Sequence, residues 1–115
     1  MKKVIVLSLG GSQIIPDNVN FKYISEFKKI LLKNKKYKFI VVCGGGSIAR
    51  KYINAIKQAG LNEKFQSFAG ISTTRTNARF MNYFFGIDPE MGIPDTMKKV
   101  KDYIKKLDII FCGAL

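Results

Sequence analysis

Apolar residues recur along this chain with two different periods. Val4, Ile5, Val6 and Leu7 form a short β-branched run that stops at Gly10-Gly11, which predicts a buried strand over Lys3 to Leu9. After a loop from Ser12 to Asn20 containing Pro16, the period changes. Phe21, Ile24, Phe27, Ile30 and Leu31 recur at three and four, with Lys22, Glu26, Lys29 and Lys33 between them, as on an amphipathic helix over Phe21 to Lys33. Asn34-Lys35-Lys36 is a polar turn, and Tyr37 to Cys43 is a second strand-like run ending at Gly44-Gly45-Gly46.

Ser47 can cap a further helix whose inner face holds Ile48, Tyr52 and Ile56, with Ala49 and Ala55 nearby, and Gly60 stands where a left-handed C-terminal residue is wanted. Leu61 to Gly70 fits a short helix or a loop. Ser72-Thr73-Thr74 then offers an N-cap to a helix from about Thr74 to Phe85, with Ala78, Met81, Phe84 and Phe85 on one side and Arg75 and Arg79 on another. Gly86 to Pro94 is an irregular loop. Asp95 or Thr96 caps a helix to about Lys106, and Leu107 to Cys112 is a third strand. Strands alternating with helices, without hairpin signals, predict an α/β fold with a mostly parallel sheet covered on both faces.

Composition narrows this picture. A chain of 115 residues, 47% of them hydrophobic, fits one domain with a core of its own. Its longest apolar runs fall far short of the roughly 20 residues needed to span a bilayer. No signal-peptide pattern follows Lys2-Lys3, so a cytoplasmic location without membrane attachment is expected. Cys43 and Cys112 each end a strand-like run before a glycine, with no CxxC spacing and no histidine in the chain. That leaves neither a zinc site nor a redox motif, and fits a reducing compartment. The net charge of +12 invites a nucleic-acid reading, but seventeen of the twenty basic residues are lysines scattered over helix-like segments without an aromatic platform. A solvated lysine face is the better account, and no nucleic-acid partner is expected. Such a charge still concentrates small phosphorylated ligands near the surface.

The candidate chemistry lies in the two glycine turns. In an open parallel sheet ligands collect beyond the carboxyl ends of the strands, where both turns fall. Gly44-Gly45-Gly46-Ser47 lets backbone approach a ligand and opens a helix whose free N–H groups and dipole suit phosphate, with Arg50 close behind as a charged fork. Neither turn has the Gly-Lys-Ser/Thr ending of a P-loop. Gly44-x-Gly46-x-x-Ala49 does match the dinucleotide fingerprint, but no acid stands about twenty positions later, in Phe65 to Gly70.

Three segments, taken together and in this order, resemble the amino-acid kinase superfamily, most nearly the archaeal-type uridylate (UMP) kinases. They are Leu7-Ser8-Leu9-Gly10-Gly11-Ser12, Val42-Cys43-Gly44-Gly45-Gly46-Ser47-Ile48-Ala49-Arg50-Lys51-Tyr52-Ile53, and Gly70-Ile71 with Thr74-Arg75-Thr76-Asn77-Ala78. The resemblance runs over nearly the whole chain and covers the first half of that fold. It implies a three-layer α/β/α sandwich of which residues 1–115 are the N-terminal, acceptor- and phosphate-binding part. It further implies transfer of the γ-phosphoryl group of Mg2+-bound ATP to UMP, giving UDP, in cytoplasmic homo-oligomers of pyrimidine nucleotide synthesis.

By the same resemblance Gly11, Ser12, Gly46 and Arg50 would meet the ATP phosphates, with Arg50 the catalytic charge. Gly45 would touch the UMP phosphate, and Ser67, Arg75 and Asn77 would lie near the acceptor, the last two equally suited to packing or helix capping. Ser8 stands where many members carry a lysine, and Ser67 where an acidic residue binds the acceptor's ribose. No metal ligand is expected in this part, since the magnesium and adenine sites follow it in the family. The chain stops on a buried-type strand, which predicts that it is the front of something longer, completed in sequence or by a separate C-terminal half. Two other readings stay open: the same fold acting on another small phosphate, carboxylate or carbamate, and a non-catalytic nucleotide-binding module.

Overall fold

The two β-branched runs become neighbouring parallel strands in the computed structural model, which describes residues 2–115. β1 (Lys3–Leu9) and β2 (Tyr37–Cys43) pair along their whole length, from Lys3 opposite Tyr37 to Leu9 opposite Cys43. β3 (Ile109–Cys112) pairs in parallel with the other side of β2, from Phe39 opposite Ile109 to Val42 opposite Cys112. The order is β1-β2-β3, so β1 and β3 are the sheet's edges. Between the strands run α1 (Gly11–Ile14), α2 (Phe21–Lys33), α3 (Gly46–Gln58), α4 (Glu63–Phe84), a 3-10 turn at Pro89–Met91 and α5 (Met97–Lys106).

Alternation of side chains along the strands sorts the apolar residues between the two faces. Leu9, Phe39, Val41, Cys43 and Phe111 face a core completed by Ile24 and Leu31 of α2 and Ala78 and Met81 of α4. The Phe85 ring meets Phe111 edge-on, with centroids 4.8 Å apart. Each large side chain buried here contributes about 1.5–3 kcal/mol through removal of apolar surface from water. On the opposite face Ile110 and Cys112 are buried where α5 packs on β3. That cover does not reach β1, whose Val4 and Val6 are 42% and 63% exposed. The expected cover on both faces is therefore incomplete along β1.

Helix starts show where local chemistry decided the boundaries. Asn20 accepts a hydrogen bond from the Tyr23 amide at 3.3 Å and starts α2, and Thr96 accepts from the Lys99 amide at 3.2 Å and starts α5. Asp95 pairs with the Lys99 ammonium at 3.0 Å instead of capping. Three local expectations need correction. The loop expected from Ser12 begins as the short helix α1, with the Gly10 amide donating to Gln13 Oε1. Ser47 does not cap α3, because Gly45 holds that position and Ser47 lies inside the first turn.

The largest correction concerns α4, a single 22-residue helix capped by Asn62, with Ser72-Thr73-Thr74 in its middle. The Thr73 and Thr76 hydroxyls donate to the carbonyls of Ala69 and Ser72, four residues back, and Thr74 donates to Ile71. These bonds within the helix satisfy the groups that would otherwise have capped one. No helix among the described residues is long and apolar enough to cross a membrane.

Candidate functional site

Because all three strands run the same way, Gly10-Gly11, Gly44-Gly45-Gly46 and Gly113 come together along one edge of the sheet. The first two turns pack backbone against backbone. A methyl group added at Gly11 would stand 2.4 Å from the Gly46 nitrogen and 2.5 Å from the Gly45 carbonyl carbon. One at Gly46, which has φ +65°, would stand 2.7 Å from the Gly11 carbonyl carbon and the Ser12 nitrogen. The Gly44 amide donates to the Leu9 carbonyl at 2.9 Å and ties the ends of β1 and β2 together. No side chain fits between the turns, so both form one continuous surface of backbone.

That surface is rich in donors. Among the described residues no backbone carbonyl accepts from the amides of Gly11, Ser12, Gly45, Gly46, Ser47 or Ile48. The last four stand at the start of the 13-residue α3, where the helix dipole adds partial positive charge. Unpaired amides of this kind suit a phosphate or another oxyanion.

α4 holds the arrangement from behind. The Asn77 side chain, almost wholly buried, donates through Nδ2 to the Gly44 carbonyl at 2.8 Å. Gly45 lies close to Thr74 and Gly70, where an added methyl would be 3.6 Å from Thr74 Cγ2. Further along the edge the chain leaving β3 is fastened to the same helix. The Ala114 amide donates to Thr74 Oγ1 at 2.9 Å, Arg75 Nε donates to the Ala114 carbonyl at 3.1 Å, and a methyl on Gly113 would collide with Thr74 at 2.6 Å.

The structure thus brings Gly11, Gly45 and Gly46 into one place, with Ser12 exposed beside them on α1. Arg50 is exposed as the fifth residue of α3 and makes no ion pair among the described residues. Ser67 is exposed on α4, one helical turn before Gly70. Arg75 and Asn77 direct Nε and Nδ2 to backbone carbonyls, and neither caps a helix, since both lie well inside α4. Sequence reasoning missed Thr74 as a fastening point, and Gly113 at the end of the third strand was its only visible sign.

Two chemistries find no support at this edge. Burial, and secondarily the neighbouring Cys112, push the Cys43 thiol from 9.0 up to about 12, so the residue preceding Gly44 is no thiolate nucleophile at neutral pH. No cluster of three or more Asp, Glu, His or Cys residues that could hold a metal ion exists among the described residues. An open cleft of about 630 Å³ between α3 and α4, lined by Ile14, Tyr52, Ile56, Thr76 and Phe80 among others, is mainly apolar and adjoins the glycine edge through Ile48 and Asn77.

The model of the amino acid kinase family matches residues 3–108. The uridylate kinase of Thermoplasma volcanium is 34% identical over 115 residues, which is 99% of this chain and 50% of that protein. The uridylate kinase of Thermococcus kodakarensis is 40% identical over 107 residues, 92% of this chain and 45% of that protein. The crystal structure of uridylate kinase from Archaeoglobus fulgidus superimposes with a TM-score of 0.79 at 31% identity, covering 96% of this chain and 50% of that one. The α/β fold is therefore shared with part of an archaeal uridylate kinase, and the chain spans about half the length of the relatives it matches.

Proposed function

We propose that this chain, which belongs to the amino acid kinase family, is the phosphate-handling half of a kinase that transfers the γ-phosphoryl group of ATP to UMP and forms UDP. One observation carries the reading: two glycine turns fused backbone to backbone, with six amides that have no backbone acceptor among the described residues, at the carboxyl edge of a parallel sheet. An oxygen of the UMP phosphate attacks the γ-phosphorus, the bond to the β-γ bridging oxygen breaks, and ADP leaves with that electron pair. Phosphoryl transfer of this type needs positioning and charge stabilisation rather than covalent help from the protein.

In this reading Gly11, Ser12 and Gly46 present backbone to the ATP phosphates and Gly45 to the UMP phosphate. Arg50, exposed and without an acidic partner among the described residues, would serve the transferring oxygens from the first turns of α3. Ser67 and Arg75 lie towards the acceptor, and Asn77 serves it by fixing Gly44. Removing one donor to such a transition state typically costs on the order of 3 kcal/mol. The residues described here do not make a magnesium site, so Mg2+ would be held by nucleotide phosphates and by groups outside this half. A homo-oligomer is expected as well.

A phosphoryl-transfer assay tests the reading, using Mg2+, ATP and a panel of UMP, CMP, small carboxylates and carbamate. The chain is assayed alone and co-expressed with the half of the Archaeoglobus fulgidus protein that it does not match. Transfer to UMP in the completed protein is the expected outcome. Preference for another acceptor would overturn UMP, a result that the uncharged Ser67 makes worth seeking. Nucleotide binding without transfer to any acceptor would leave a binding module.

A further inference from the structure

Gln13 is an exposed residue of α1, yet its side chain folds back to the start of that helix instead of extending into solvent. The Gly10 amide donates to its Oε1 at 3.3 Å, and a methyl group added at Gly10 would stand 3.4 Å from that oxygen and 3.8 Å from Cδ. Gly10 in turn adjoins the second glycine turn, since a methyl added at Gly44 would stand 3.2 Å from the Gly11 nitrogen and 3.8 Å from the Gly10 Cα. The Gln13 carboxamide therefore rests on the rim of the surface that carries the amides of Gly11, Ser12, Gly45 and Gly46, none of which has a backbone acceptor among the described residues.

Chemistry decides which way the carboxamide faces. A backbone N–H can only donate, so the atom beside the Gly10 amide is the carbonyl oxygen, and both N–H donors of Nε2 are left over. Among the described residues nothing accepts from them. Closing the start of α1, as in a capping box, explains the oxygen and leaves the nitrogen unused. We infer that Gln13 is a ligand-binding residue of the phosphate edge: Oε1 stays on the Gly10 amide while Nε2 donates to an oxygen of the ATP phosphates, adding a side-chain donor to the backbone ones. This inference rests on the proposed function only in taking the edge to hold a polyphosphate. A glutamate at this position would hold the Gly10 amide as a glutamine does, but its carboxylate has no proton to donate and repels a phosphate. One substitution thus separates closing the helix from binding the ligand.

The test is calorimetric titration of the 115-residue chain with inorganic triphosphate, which offers phosphate oxygens without a nucleoside, and with ATP, alongside thermal melts. Gln13→Glu is expected to melt with the parent and to bind triphosphate about tenfold or more weakly, the loss of one charge-assisted hydrogen bond. Gln13→Ala gives up the bond to Gly10 as well, so it should melt lower than Gln13→Glu yet bind more tightly than it, having no charge to repel the ligand. The Gln13 side-chain NH2 resonances should shift as triphosphate is added. Those of Gln58, the last residue of α3, and of Gln66, whose Nε2 donates to the Leu61 carbonyl, should not. Binding that follows melting temperature through the series, or Gln13 resonances unmoved at saturation, would overturn the inference. A parent chain that binds neither triphosphate nor ATP would overturn the phosphate edge and this role with it, whereas a parent that binds both and a Gln13→Glu chain that binds them equally well would overturn the role of Gln13 alone.

Discussion

Gly11→Ala tests the fused glycine turns directly. Its new methyl would stand 2.4 Å from the Gly46 nitrogen, 2.5 Å from the Gly45 carbonyl carbon and 2.8 Å from the Gly44 oxygen, where ordinary contact begins near 3.4 Å. All three neighbours are backbone, so no side chain can rotate away, and the turns have to part by about 1 Å. Overpacking of this kind costs about 2–3 kcal/mol, which in a domain of this size lowers Tm by roughly 10–15 °C. The parted turns should also lose their hold on phosphate. Gly60→Ala is the matched control: its φ is +80° but nothing lies within 4 Å of the added methyl. Only the left-handed backbone penalty applies there, about 1–2 kcal/mol. Thermal melts and calorimetric titration with ATP on both variants should show Gly11→Ala melting below Gly60→Ala and failing to bind, while Gly60→Ala binds as the parent does. A Gly11→Ala protein that melts no lower than Gly60→Ala and binds ATP normally would refute the packing argument and the site built on it.

Further outcomes are expected elsewhere on the molecule. Asn77→Ala removes the bond to the Gly44 carbonyl and should destabilise the chain by about 1–2 kcal/mol in urea, with weaker ATP binding because the turn loosens. Arg50→Ala, at an exposed position, should leave the melting temperature unchanged while weakening ATP binding about tenfold or more, measured by the same titration. Since the folded Cys43 thiol holds its proton more tightly than the unfolded one, its contribution to stability is whole below pH 9.0 and is lost as pH rises through 9.0 towards about 12. Urea midpoints falling over that range, and a shallower fall in Cys43→Ala, would verify the sign. The buried Cys43 should also resist alkylation at pH 8 until the chain unfolds.

Much of the fold is legible in the sequence where one periodicity dominates. β1, β2 and α2 have the boundaries that their apolar patterns indicate, because each buries one clear face or run. α4 is harder to read, since the face it turns to the glycine edge is made of Gly70, Thr74 and Asn77 rather than of large apolar residues. A helix that packs against bare backbone needs small and polar residues there, and these imitate a loop and a cap. β3 starts two residues later than its apolar run, at Ile109, because Leu107 still closes α5 through its amide bond to Tyr103. The sequence marks the glycine turns as candidate ligand loops, but does not reveal that each fills the space the other's side chain would need. That relation joins residues over thirty positions apart and exists only after β1 and β2 have paired. The structural duties of Asn77 and Arg75 are hidden for the same reason, since their partners Gly44 and Ala114 are backbone atoms remote in sequence.

The bare flank of β1 has a consequence for the chain as a colloid. Each molecule carries a net charge of +12, and in dilute buffer that charge keeps copies apart, with repulsion extending about 10 Å at 0.1 M salt. Added salt would act here as a coagulant: at 1 M the range contracts to about 3 Å, and strand edges that were held apart can meet. Turbidity should therefore rise with ionic strength, and Val6→Lys should move that threshold to higher salt.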